Sequence, residues 1–177
     1  VHVGQNLSAD DLRDAYDSVI YAVGAETGRD LHVPGRGAFG HTPAAVFVGW
    51  YNGHPDYHRA VFDLSGTRAA VIGNGNVAID VARILTRDAA DLRATDIATH
   101  ALAVLETSQI EEVWVIGRRG VAQAAFSPAE LKELRELPNV SVCVDPADLR
   151  LDPASQAALD AADPTSNLAK NVALLHD

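Results

Sequence analysis

The sequence predicts an α/β fold, a Rossmann-like dinucleotide-binding domain with a parallel sheet flanked by helices. Apolar runs rich in β-branched residues alternate with stretches of helical period, the order from which crossover connections build a parallel sheet. One such run, residues 68–72, leads directly into Gly73-Asn74-Gly75-Asn76 and then VAIDVARIL, so that strand, glycine turn and helix follow without a gap.

Taken in order, the first apolar run is 18–23 in YDSVIYAVGAETGR, which reads as a buried strand. Residues 26–66 are rich in glycine and proline, as in VPGRGAFGHTP and VGWYNGHPDYH, and show no sustained period, so they read as connector and not core. After the strand at 68–72, Val77, Val81, Ile84 and Leu85 fall on one helical face and predict a core-facing helix. Helical stretches at 88–93 and 96–106 precede EEVWVI at 111–116, whose unbroken apolar character predicts a strand covered on both faces. Ser127, Pro128 and Glu130 supply the N-cap, first-turn proline and third-position carboxylate of a capping box that starts the next helix. VSVCV at 140–144 is a further strand signal, with Cys143 expected to be a buried, inert thiol between valines. The acidic, alanine-rich remainder reads as short helices.

Composition narrows the function. The chain has 177 residues, and its 14 Lys plus Arg against 24 Asp plus Glu leave a formal charge of −10. That excludes a general nucleic-acid binder or acidic-membrane binder, because phosphate recognition needs a basic face. A hydrophobic fraction of 47% with 21% charged residues fits a folded core and not a disordered chain. One cysteine excludes an internal disulfide, a CxxC pair and any cysteine-built zinc site, which points to a reducing compartment. No run reaches the ~18 apolar residues of a membrane span, so no membrane insertion is expected. The acidic start is unlike a leader, and the absence of methionine with Val1 in first place suits an internal piece of a longer chain. A cytoplasmic location and a monomer are expected.

The chemistry concentrates at two loops. Gly73-Asn74-Gly75-Asn76-Val77-Ala78 fits GxGxxA, in which the first glycine makes the tight turn, the second admits a pyrophosphate to the backbone and the alanine lets helix and strand pack closely. Asn76 is placed to cap the helix, whose free N–H groups would face the phosphate. The alternative is a glycine turn with no ligand. At the end of the next strand, where an acidic residue selects NAD and arginine accommodates the 2′-phosphate of NADP, the chain has Arg118-Arg119. These lie well beyond the ~20 residues usual for that position, so the helices at 88–106 must loop out between. Two arginines in a loop are otherwise simply solvated. Glu130 serves either as a cap alone or as a functional carboxylate near the nicotinamide. His54 and His58 have an i, i+4 spacing but lack a third ligand in an irregular segment, so no metal site is expected.

The run YDSVIYAVGA, FVGWYNGHP, DLSG, GNGNVAIDVARIL, TDI, VWVIGRRG, AAF and AELKELREL resembles the adrenodoxin-reductase type of ferredoxin–NADP reductase, in colinear order over roughly residues 16–145. The resemblance implies an oxidoreductase of actinobacterial or, less expectedly, mitochondrial type, with an NADP domain inserted into an FAD domain. Residues 1–25 would close the first FAD half, 26–66 would be the interdomain connector and the start of the NADP domain, and 67–177 would be that domain, incomplete at its C-terminus. It further implies Gly73, Asn74, Gly75, Asn76 and Val77 on the NADP pyrophosphate, Arg118 and Arg119 on the 2′-phosphate, Glu130 near the nicotinamide carboxamide, and Arg29 as a further nucleotide contact. NADP(H) and FAD are the implied cofactors, and an iron–sulfur ferredoxin the implied partner. Hydride would pass from NADPH to the flavin and single electrons from there to ferredoxin. A basic ferredoxin-docking face is expected to be local or to lie outside this acidic chain. Two other readings stay open at this point: the NADPH domain of a flavoprotein like the glutamate synthase small subunit, and a non-catalytic NADP-binding module.

Overall fold

The computed structural model describes residues 1–22, 28 and 31–177. It divides into two units, Val1–Asp30 and Leu31–Asp177. In the first, α1 (Ala9–Ala15) starts at a complete capping box, with Ser8 accepting from the Asp11 N–H and Asp11 accepting from Ser8 in return. The strand expected at 18–23 does not form over its described part, 18–22: Ile20 is 89% exposed, and no strand among the described residues pairs with it. β-branched residues favour extended backbone, but a strand exists only where a neighbour satisfies its N–H and C=O groups.

The second unit contains α2 (Ala44–Tyr51), β1 (Arg68–Ile72), α3 (Asn76–Thr86), α4 (Ala89–Leu92), α5 (Thr99–Leu105), β2 (Glu112–Ile116), a 3-10 turn (Val121–Gln123), α6 (Pro128–Arg135), α7 (Pro153–Asp160) and α8 (Asn167–His176). β1 and β2 pair in parallel, Arg68 opposite Glu112 through Ile72 opposite Ile116. The crossover between them runs through α3, α4 and α5, so the predicted looped-out helices are real. α5 packs deeply, with Ala101 fully buried, and the Ala98 N–H just ahead of it donates to the Tyr51 carbonyl at 2.9 Å.

Two features of the core differ from expectation. Residues 44–51 lie inside the stretch read as connector, yet α2 supplies Phe47 and Trp50, the latter only 2% exposed, to the main core with Val71, Ala78, Val81 and Ala101. AAVFVGWY has no polar residue, so it shows no stripe against which a helical period can be seen. α3 is buried on two sides, by that cluster and by a second one of Ile79, Phe126, Leu131 and Leu134, while Val77, expected inside, is 53% exposed.

The sheet itself has one covered face. Val71 and Val115 point toward the core, whereas Ile72, Trp114 and Ile116 on the other face are exposed, so β2 is not covered on both sides as its apolar run implied. Hydrophobicity records that a strand is built for burial, and here only one face has a layer of helices. VSVCV forms no strand, and Val142, Val144 and Cys143 are exposed, which overturns the reading of Cys143 as a buried thiol. Its alternation has no ladder to join. Among the described residues no helix is long and apolar enough to cross a membrane, and no group of three or more His, Cys, Asp or Glu is placed to hold a metal.

Candidate nucleotide site

Because β1 and β2 are parallel neighbours, the loops that leave their C-terminal ends lie side by side, the usual position of ligand sites in open α/β sheets. Gly73 turns the chain out of β1 with φ 141°, a conformation that favours glycine, and its N–H donates to the Ile116 carbonyl at 2.9 Å. A side chain at Gly73 would reach within 4.0 Å of the Ala78 Cβ, so the small residue at 78 lets α3 start close to the strand, as the motif requires. Above Gly75 there is open space: a Cβ there would meet nothing within 4 Å. The open groove at this point, about 350 Å³, is lined by Ile72, Gly73, Gly75, Asn76, Val77 and Ala125. Val77 is exposed because it faces this groove.

Gly75, not Asn76, is the N-cap of α3, and no side chain caps the helix. The Asn76 and Val77 N–H groups, without an acceptor among the described residues, and the positive end of the helix dipole are left for an anion. The Asn76 side chain is engaged elsewhere, its Oδ1 accepting from the Ser127 N–H at 2.7 Å. This also changes the predicted capping box of α6. Ser127 Oγ accepts from the Glu130 N–H at 3.3 Å as expected, but the return bond to the Ser127 N–H comes from Asn76. Glu130 is thereby released to an ion pair with Arg83 at 2.9 Å, and Arg83 also pairs with Glu133 at 2.8 Å, fastening α3 to α6.

The second loop, Gly117-Arg118-Arg119-Gly120, is exposed, and neither guanidinium has an ion pair or hydrogen bond with another described residue. Gly117 has a packing reason to be glycine: a Cβ there would sit 2.5 Å from the Asn74 Nδ2. The Asn74 amide thus rests on the backbone of the arginine loop. The two loops singled out in the sequence are in direct contact, and they bring together an uncapped helix start, an open backbone cradle and two arginines that have no ion pair among the described residues. That arrangement fits a phosphorylated dinucleotide. Arg29 lies outside the described residues. Sequence reasoning missed Asn171, whose Nδ2 donates to the Phe126 carbonyl at 2.8 Å beside this site. The available signal was a polar residue on the apolar stripe of Leu168, Val172 and Leu175.

No protein-family model matches the chain. It is 53% identical over 149 residues to the NADPH-ferredoxin reductase FprA of Mycobacterium tuberculosis, a match covering 84% of this chain and 33% of that protein. It is 48% identical over 157 residues to the mitochondrial NADPH:adrenodoxin oxidoreductase of Arabidopsis thaliana, covering 88% of this chain and 32% of the relative. The solved structure of Mycobacterium tuberculosis FprA in complex with NADPH superposes with a TM-score of 0.84 at 48% identity, over 99% of this chain and 38% of that one. The chain therefore spans about a third of the length of the curated relatives it matches. Over that span, sequence and fold make it a homologue of the NADPH-ferredoxin and adrenodoxin reductases.

Proposed function

We propose that this chain is the NADP(H)-binding part of an FAD-dependent ferredoxin–NADP reductase. The observation that carries the reading is the contact between the GNGNVA turn and the Arg118-Arg119 loop, made where β1 and β2 end. Gly73, Asn74, Gly75, Asn76 and Val77 would hold the diphosphate against the start of α3, and Arg118 and Arg119 the 2′-phosphate. Arg29 is assigned to the nucleotide by resemblance alone. When bound, NADPH supplies a hydride for a flavin held by the rest of such a protein, which passes single electrons to an iron–sulfur ferredoxin. Residues 1–25 are assigned to the end of the first FAD half and 67–177 to the NADP domain. The relatives favour this reading over one like the glutamate synthase small subunit, and a cytoplasmic bacterial enzyme accords with the mycobacterial ones.

The 2′-phosphate is the only difference between NADP and NAD, and a guanidinium binds it bidentately. Each hydrogen bond to a charged group contributes about 1.5–3 kcal/mol, so Arg118→Ala/Arg119→Ala in the full-length reductase is expected to weaken NADPH binding by about a hundredfold or more. The KM for NADH should change little, and the NADPH effect should shrink in high salt. Equal losses for both nucleotides would assign the arginines to the fold or the diphosphate and remove the reading.

A further inference from the structure

Three consecutive residues just ahead of α6 are each held by a partner from another part of the chain. The Ala125 N–H donates to the Asn74 carbonyl at 2.7 Å, where Ala125 forms a parallel bridge with Gly75. The Phe126 carbonyl accepts from Asn171 Nδ2 at 2.8 Å, and the Ser127 N–H donates to Asn76 Oδ1 at 2.7 Å. Residues 125–127 therefore form a strap laid along the glycine turn. α8 grips its middle.

Asn171 is 1% exposed, and its Oδ1 is buried without a hydrogen-bond partner among the described residues. An unmet buried acceptor opposes folding, and a leucine at this place on the apolar stripe of α8 would remove the unmet Oδ1. What only the amide supplies is a directed bond to Phe126, which is itself 5% exposed and whose carbonyl would otherwise face a dry interior. α8 has other attachments: Val172 is buried, and Arg135 donates to the Leu174 carbonyl at 2.7 Å. Holding the helix in place does not need Asn171.

We propose that Asn171 is a positioning residue for the dinucleotide turn: its bond to Phe126 fixes the 125–127 strap, and the strap fixes Asn74 and Asn76 in the shape that receives a diphosphate. The inference rests on the NADP(H) site proposed above. Release of the Phe126 carbonyl lets the strap turn, which loosens the bonds at Ala125 and Ser127 on either side. The turn then has to be ordered when nucleotide binds, so the loss falls on affinity and not on the chemical step.

The test uses the full-length reductase with NADPH as probe, and the wild type is titrated first. Absence of NADPH binding by the wild type would overturn the site and this inference together. Where it binds, folded Asn171→Leu is expected to raise Kd and KM for NADPH about tenfold with kcat toward a one-electron acceptor within about twofold of wild type. Val172→Ala, at a buried position on the same helix, should lower the melting temperature and leave KM unchanged. Wild-type affinity in folded Asn171→Leu, or an equal KM rise in Val172→Ala, would overturn this inference while leaving the nucleotide site standing. Should Asn171→Leu not fold, amide exchange of the wild type decides. Without NADPH, the Ala125 and Ser127 amides should already exchange as slowly as buried core amides, and fast exchange there in the free protein overturns the proposal.

Discussion

Glu130 shows how one side chain's assignment depends on its neighbours. By position it completes a capping box, yet Asn76 takes the Ser127 N–H and the carboxylate turns to Arg83. Arg83 keeps Glu133 at 2.8 Å if that partner is lost, so Glu130→Gln is expected to destabilise by only about 0.5 kcal/mol, the scale of a partly solvated ion pair. Kinetics then separate the two roles. If the charge acts at the nicotinamide, Glu130→Gln in the reductase proposed above alters hydride transfer with nearly unchanged melting; identical kinetics would leave it an ion-pair residue. Ser127, Pro128 and the first half of the box were legible because capping is a local interaction. The bond that replaces it joins Ser127 to Asn76 across 51 residues of sequence and depends on how α3 meets α6.

At the scale of elements, α2 was the least legible and is among the most buried. Gly49 explains part of this. The Tyr57 ring lies directly on its Cα, well inside contact distance for any added side chain. A glycine that weakens helix propensity in isolation is here the seat of an aromatic ring, and VGWYNGHPDY reads as broken loop only because that packing is invisible along the chain. Gly49→Ala should raise helix propensity and still lower stability by roughly 1–3 kcal/mol, because the Tyr57 ring would have to leave its packing against the main core to make room. Chemical denaturation measures this, and a more stable alanine variant would show that Tyr57 relocates freely. By contrast, β1, the turn and α3 were legible in order, since GNGNVA combines a positive-φ glycine, an open glycine and a small packing residue at fixed offsets. The strands expected at 18–23 and 140–144 failed for a common reason. Local sequence reports extended propensity, but strand formation is settled by whether another strand lies alongside.

For the molecule as a whole, charge sets the response to pH. At neutral pH the chain carries −10, and its isoelectric point lies near 5.0, so acidification from pH 7 toward 5 relieves self-repulsion. A second effect opposes this at lower pH. Asp63, Asp152 and Asp163 accept hydrogen bonds from neighbouring N–H and hydroxyl groups, Ser65, Ser155 and Thr165 respectively, which hold each carboxyl below its ordinary value of 3.8; Asp11 at the start of α1 is lowered likewise by Ser8. Unfolding returns these groups to the ordinary value. Their contribution is therefore complete above about pH 4 and is lost as pH falls through the lowered native values. The melting temperature should be flat or rising from pH 8 to about 5 and should fall below about 4. Asp152→Asn isolates one term. Asparagine still offers an oxygen to the Ala154 and Ser155 N–H groups at the start of α7 but has no proton to gain, so the variant should be less stable than wild type at neutral pH and should close part of that gap at pH 3. Parallel pH profiles for the two proteins would mean that the lowered carboxylate at Asp152 contributes nothing to acid sensitivity, and the acid limb would then have to come from Asp11, Asp63 and Asp163 and from the growing positive charge.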